Sequence, residues 1–277
     1  MDFIKRYCRD KTGVFFGLIL LFLYGVAITA QWITPDDPFA INLRHGFNPP
    51  SAAHWLGTDQ FGRDVLSRVI LATQVTAKIT GAAILFAVIT GVPIGMFVGY
   101  RGGRIEAIVM RITDMLLIFP IIMLAIVLVV VAGPSEKGVI IALGLSRSPQ
   151  FIRIARGVTL SVKEELYVEA AIAAGSGWLN ILVHHIWPNI STPIIVQATL
   201  TLPVFVLNAS ALSYLGLGVQ PPVPEWGQML NEAKEFLFTS PYLIVGPSIA
   251  LFLFVLSANL VGDTLQETLN PKLKKRK

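Results

Sequence analysis

Disulfide bonding, nucleotide binding and soluble packing are all excluded by what this chain has little of. Its single cysteine, Cys8, has no partner for an internal disulfide. It stands before the first apolar run, so it is not placed as a lipoprotein acylation site. Only 14% of the residues are charged and 54% are hydrophobic, whereas soluble domains carry about 25% charged residues. No Gly-x-x-x-x-Gly-Lys-Ser/Thr segment is present to hold nucleotide phosphates. His-Glu-x-x-His, Cys-x-x-Cys and Gly-x-Ser-x-Gly are absent as well. His184 and His185 are adjacent, so on a helix they point about 100° apart and do not chelate one ion. No cofactor, metal or catalytic group is expected, and energy for any work has to come from a gradient or from another subunit.

What the chain has instead is apolar sequence in blocks. A helix needs about 20 apolar residues to cross a bilayer, and six runs approach that length: Gly13–Ile33, Ile79–Val98, Ala107–Ala132, Val139–Phe151, Thr192–Leu212 and Leu243–Val261. The fourth is interrupted by Arg147 and Pro149 and spans only by extending toward Ile154. The first is too long for a signal-peptide core and reads as an uncleaved anchor. The expectation is an all-α membrane protein with six transmembrane helices.

Basic residues set the orientation. With both termini cytoplasmic, Lys5, Arg6, Arg9, Lys11, Arg101, Arg104, Arg111, Arg147, Arg153, Arg156, Lys163 and the basic tail from Lys272 to Lys277 all lie inside. That is most of the 22 Lys and Arg. The net charge of +5 then reads as topology determinants facing anionic membrane lipid, with no nucleic acid involved. The organisation expected is an anchor and external segment over residues 1–74, a transmembrane core over 75–263 and a basic cytoplasmic tail over 264–277.

Two external stretches are amphipathic. In residues 59–73, Phe61, Val65, Leu66, Val69 and Ile70 fall at helical spacing, while Asp59, Arg63, Asp64, Ser67 and Arg68 take the polar side. In residues 225–236, Trp226, Met229, Leu230 and Ala233 oppose Gln228, Asn231, Glu232 and Glu235. Both are expected to form a docking or interfacial surface, or to lie at the headgroup level. Gly91, Gly95 and Gly99 recur every four residues, a stripe for close approach of another helix, and Pro93 predicts a kink. Arg111 and Asp114 are spaced to pair on one helix.

The stretch from Glu165 to Asn189 is the most informative. It is predicted to form two short helices, Glu165–Ala174 and Trp178–Ile186, parted by Gly175 and Gly177 and ended by Pro188. A jointed element of that kind, on a chain without a nucleotide site, suits a surface gripped by another protein.

Glu169-Ala170-Ala171, Gly175 and His185-Ile186-Trp187-Pro188 resemble the EAA loop of binding-protein-dependent ABC importer permeases. HWLGTDQFGRDVLSR (His54–Arg68) and LSYLGLGVQPPVPEWGQML (Leu212–Leu230) are similar to signatures of the peptide and nickel importer permeases, and the likeness runs from about Thr12 to Pro271. Two departures stand out: Ser146-Arg147-Ser148-Pro149 lacks a tryptophan frequent before the coupling loop, and Trp187 replaces a more frequent leucine. The resemblance implies a type I importer permease fold and the second permease subunit of a heterodimer. It further implies two ABC ATPases docked inside and a substrate-binding protein outside. The coupling loop, residues 157–190, would meet an ATPase through Glu169, Ala170, Ala171, Gly175, His185 and Pro188. The external face met by the binding protein would include Asp59, Arg63, Asp64, Arg68 and Trp226. Di- or oligopeptides are the implied cargo, with glutathione or nickel complexes as alternatives. The competing reading from another class is a self-sufficient secondary transporter or channel.

Overall fold

A computed structural model describes residues 7–269; the basic residues expected inside at Lys5, Arg6 and 272–277 lie outside the described residues. Among the described residues the chain is helical, with no strand beyond one isolated bridge between Thr58 and Asp64. The principal helices are α1 (Lys11–Ile33), α2 (Val65–Arg101), α3 (Gly103–Ile118), α4 (Ile121–Ala132), α5 (Glu136–Lys163), α6 (Leu166–Ala173), α7 (Trp178–Tyr214), α8 (Trp226–Ala233) and α9 (Tyr242–Leu269).

Side-chain caps start several of them. Asp10 accepts from the amides of Thr12 and Gly13, Asp64 from Ser67, Ser135 from Gly138, and Glu225 from Gly227 and Gln228. Each supplies an acceptor to amides that have no partner inside the helix.

By length and composition, α1, α2, α7 and α9 are able to cross a membrane, and α3 with α4 would make a fifth crossing if the pair counts as one. The expected third span is broken: α3 and α4 meet at 100°. Pro120 pushes Phe119 into extended backbone (φ −73°, ψ 135°), because the proline ring disfavours helical geometry in the residue before it. The fourth run behaves in the opposite way. Pro149 sits inside α5 without ending it, and the helix continues past Ile154 to Lys163.

The glycine stripe packs as its spacing predicts. A β-carbon at Gly91 would lie 2.7 Å from the Ser148 carbonyl oxygen, and one at Gly99 would lie 3.0 Å from that of Arg156. The backbones of α2 and α5 therefore run in contact, with Thr90 and Ser148 hydroxyls 2.6 Å apart across the seam. Three apolar cores follow from this pairing. One joins α1, α2, α8 and α9 around Trp226 and Phe254. A second joins α2, α4, α5 and α7 around Leu143 and Phe205. The third lies under the Leu166–Ile186 segment, around Phe151, Val168 and Ile186.

Candidate functional site

The predicted pair of short helices is half right. α6 ends in a Schellman turn: the Gly175 amide donates to Ile172 O at 2.9 Å and the Ser176 amide to Ala171 O at 3.0 Å. Gly175 takes φ +83°, a backbone region that glycine enters without steric cost. The second helix, however, is not ended by Pro188. It runs on as one 37-residue helix to Tyr214, passing through a π-helical stretch at Ile181–Ile186. Proline lacks an amide hydrogen and its ring crowds the carbonyl four residues earlier. Wider π turns immediately before it relieve both problems at the first turn of the following α-helix. The element thus has one joint, at Gly175, and its second arm is rigidly continuous with a long core helix.

Burial divides this segment cleanly. Val168, Ile181, Leu182 and Ile186 anchor it in the core beside Val92, Met96 and Phe151. Glu169, Ala170, Gly175 and Pro188 are exposed, and Ala171 and His185 are half-buried. Around them large apolar side chains face outward, Leu166 at 81% and Leu179 at 58% exposure, with Trp178 and Trp187 beside them. Asn189 binds the arms together, donating to Tyr167 OH at 3.0 Å and to His185 O at 2.8 Å. No sequence periodicity pointed to that Tyr167–Asn189 tie. The ridge of exposed apolar groups is flanked by the exposed carboxylates of Glu164, Glu165 and Glu169.

The second set of candidates lies elsewhere and faces inward. The amphipathic stretch 59–73 is not a separate surface helix; it is the start of α2, and residues 58–64 fold back upon it as a clasp. Asp59 Oδ1 accepts from the Phe61 and Arg63 amides, both at 2.9 Å, and Asp59 Oδ2 receives Arg63 Nε at 2.6 Å. Arg68 reaches Glu232 of α8 at 3.4 Å and the carbonyls of Pro38 and Pro222 at 3.3 and 3.4 Å. Asp64 holds His54 Nδ1 at 3.0 Å through the carboxylate that also caps α2. Exposure falls to 6% at Asp59, 4% at Arg63 and Asp64, 1% at Arg68 and zero at Trp226. All five expected docking residues are therefore interior. Apparent amphipathicity misled because the polar side meets a second protein layer and not water.

Glu225 is a residue that sequence reasoning missed. Its Oε1 accepts from Ser210 at 2.9 Å and Thr76 at 3.3 Å, and its Oε2 caps α8. Full burial drives its pKa upward, opposed by the hydrogen bonds that favour the charged form. The signal available was a lone acid immediately before an amphipathic run. Asp114 also finds a different partner from the one expected: Arg153 of α5 takes it, at 2.5 Å, in place of Arg111. Arg156 Nε similarly reaches Glu106 at 2.6 Å, tying α5 to α3.

Residues 91–275 match the model of the binding-protein-dependent transport system inner membrane component, and residues 1–50 match the N-terminal transmembrane domain of oligopeptide transport permease C. The chain belongs to the binding-protein-dependent importer permeases. Among curated relatives, the glutathione transport system permease protein GsiD of Pectobacterium atrosepticum is 39% identical, covering 99% of this chain and 91% of its own length. The dipeptide transport system permease protein DppC of Alkalihalophilus pseudofirmus is 37% identical, covering 98% and 89%. An inward-facing structure of the MetNI methionine ABC transporter matches 73% of this chain and 96% of its own with a TM-score of 0.57. At 17% identity that likeness speaks to the fold alone, the type I importer permease fold. The permease is a transport component of an ABC importer and not an enzyme; the ATPase is a separate chain.

Proposed function

We propose that this permease forms one half of the translocation pathway for di- or oligopeptides in the cell membrane, paired with a homologous permease. Two ABC ATPases drive it from the cytoplasm and an extracytoplasmic binding protein delivers cargo. Six crossings with both termini inside follow if the α3–α4 pair and α5 each count as one. The observation that carries the reading is the Leu166–Ile186 segment, an exposed apolar ridge whose second arm is continuous with α7. A force applied to Glu169 and its neighbours would pass along that helix into the core. Names of relatives support the cargo class: both a dipeptide and a glutathione permease cover nearly the whole chain, and glutathione is itself a small peptide.

The outer face is assigned to the clasp and α8. Since Asp59, Arg63, Asp64, Arg68 and Trp226 are interior, their role there is to hold the face in shape. Contact falls to exposed neighbours such as Ile41, Leu43, Trp55 and Phe238. Reconstitution with the paired permease, ATPases and receptor should give peptide uptake that needs ATP. Purified alone in liposomes under an ion gradient, this chain should move no peptide; uptake there would establish the secondary-transporter reading instead.

A further inference from the structure

We infer that Arg147 is a binding site for the carboxylate of the transported peptide, an inference that rests on the peptide-permease reading above. Of the three arginines of α5, Arg153 and Arg156 are ion-paired with Asp114 and Glu106. Arg147 has no ion pair or hydrogen bond among the described residues, and its Nε is buried without a partner. Its depth is fixed by its neighbours. Gly144 packs on Ala83 and Phe86, and the Ser148 hydroxyl meets Thr90. The arginine is thus level with the middle of the apolar run Ile79–Val98 and not at the cytoplasmic face where the charge bias puts it, and an unpaired charge at that depth is costly and marks a function.

Its direction follows from the helix geometry. Leu145, exposed on the outer side of α5, lies about 160° around the helix from Arg147 at ~100° per residue. One turn before, Leu143 shares a core with Phe205 and Leu212 of α7. One turn after, Phe151 shares a core with Ile190 and Ile194 of the same helix. Phe151 also packs directly on Gly91 of α2, so Arg147 is half-buried beside these shared cores, on the side of α5 away from the exposed Leu145. A guanidinium presents a planar fork of donors that matches a carboxylate bidentately. Every linear peptide with a free C-terminus carries that group, whatever its side chains, which suits a pathway serving many sequences.

The test uses the assembled importer with its receptor in proteoliposomes, offered dialanine, tetra-alanine and glutathione in turn. Arg147→Gln should lower uptake of the carried peptide roughly tenfold or more, as for a lost charge-assisted hydrogen bond. ATP hydrolysis stimulated by the loaded receptor should stay near the wild-type rate, so more ATP is spent per peptide. Arg147→Lys should keep most of the flux with a raised KM. Wild-type flux in Arg147→Gln overturns the assignment. So does equal loss of flux and hydrolysis together with loss of the paired permease on purification, since Arg147 would then pair with an acid of that subunit. Should Arg147→Gln fail to assemble, an unchanged KM in Arg147→Lys overturns it. If the wild type carries none of the three peptides, the peptide reading itself fails, a separate result.

Discussion

Arg68 and Glu232 stand 164 residues apart in sequence, yet Arg68 Nη2 lies 3.4 Å from the Glu232 carboxylate. Through that contact the start of α2 and the amphipathic helix α8 become one body. Arg68 also holds the carbonyls of Pro38 and Pro222, so a single guanidinium gathers four parts of the chain. Lysine, a point charge without the planar fork, would not reproduce this set of contacts.

Removing that guanidinium should be costly. Arg68→Ala leaves Arg63 alone to neutralise Asp59 and Glu232 and strips the Pro38 and Pro222 carbonyls of their donor, a change worth on the order of 1–3 kcal/mol. Thermal unfolding of the purified complex in detergent should show a clearly lowered Tm. A variant that melts with the wild type would mean that the Arg68 guanidinium contributes nothing to stability.

The seam between α2 and α5 should tolerate no added bulk. A β-carbon at Gly95 would meet the Ala155 β-carbon at 2.8 Å, so Gly95→Val has to drive two backbones apart. Overpacking of this kind costs about 1–3 kcal/mol, read as a drop in Tm and in the yield of assembled complex. Gly81→Ala is the control, since nothing lies within 4 Å of the added carbon.

Gly175 separates shape from space. An added β-carbon there meets nothing within 4 Å, but φ is +83°, so the penalty for Gly175→Trp is backbone strain of about 1–2 kcal/mol plus the bulk it presents outward. The complex should still assemble while peptide transport and transport-coupled ATP hydrolysis both fall. Undiminished activity in both assays would remove the coupling role of this joint.

Burial raises the pKa of Glu225, so the folded state holds its proton more tightly than the unfolded chain. The stabilising effect of that proton is complete below the unfolded pKa and is lost as pH rises through the folded one. Glu225→Gln keeps an acceptor for the α8 cap and abolishes the titration. Its Tm should fall less than that of the wild type between mildly acidic and mildly alkaline buffer. Parallel pH profiles for the two proteins would show that Glu225 does not titrate across that range.

Apolar runs announced α1, α2, α7 and α9, four of the six expected spans, because a stretch such as Leu243–Val261 offers lipid or core no alternative to internally hydrogen-bonded backbone. The glycine spacing in α2 announced a close seam for the same local reason. The joint at Gly175 was also legible, since a glycine after an amphipathic turn marks a helix end. The behaviour of prolines was not. Pro120 breaks a span, while Pro149 and Pro188 lie within continuous helices, and whether neighbours absorb the missing hydrogen bond is a property of packing.

By itself, then, the sequence determined a helical membrane permease with a jointed segment at Gly175, because hydropathy, glycine spacing and short motifs are local and survive without knowledge of neighbours. Tertiary structure alone decided which polar residues face inward. Asp59, Arg63 and Arg68 look like a solvated helix face until Pro38, Pro222 and Glu232 close over them, and Arg147 looks like one basic residue among many until its neighbours on α5 are found paired. A charge is defined by what stands opposite it, and what stands opposite comes from distant parts of the chain.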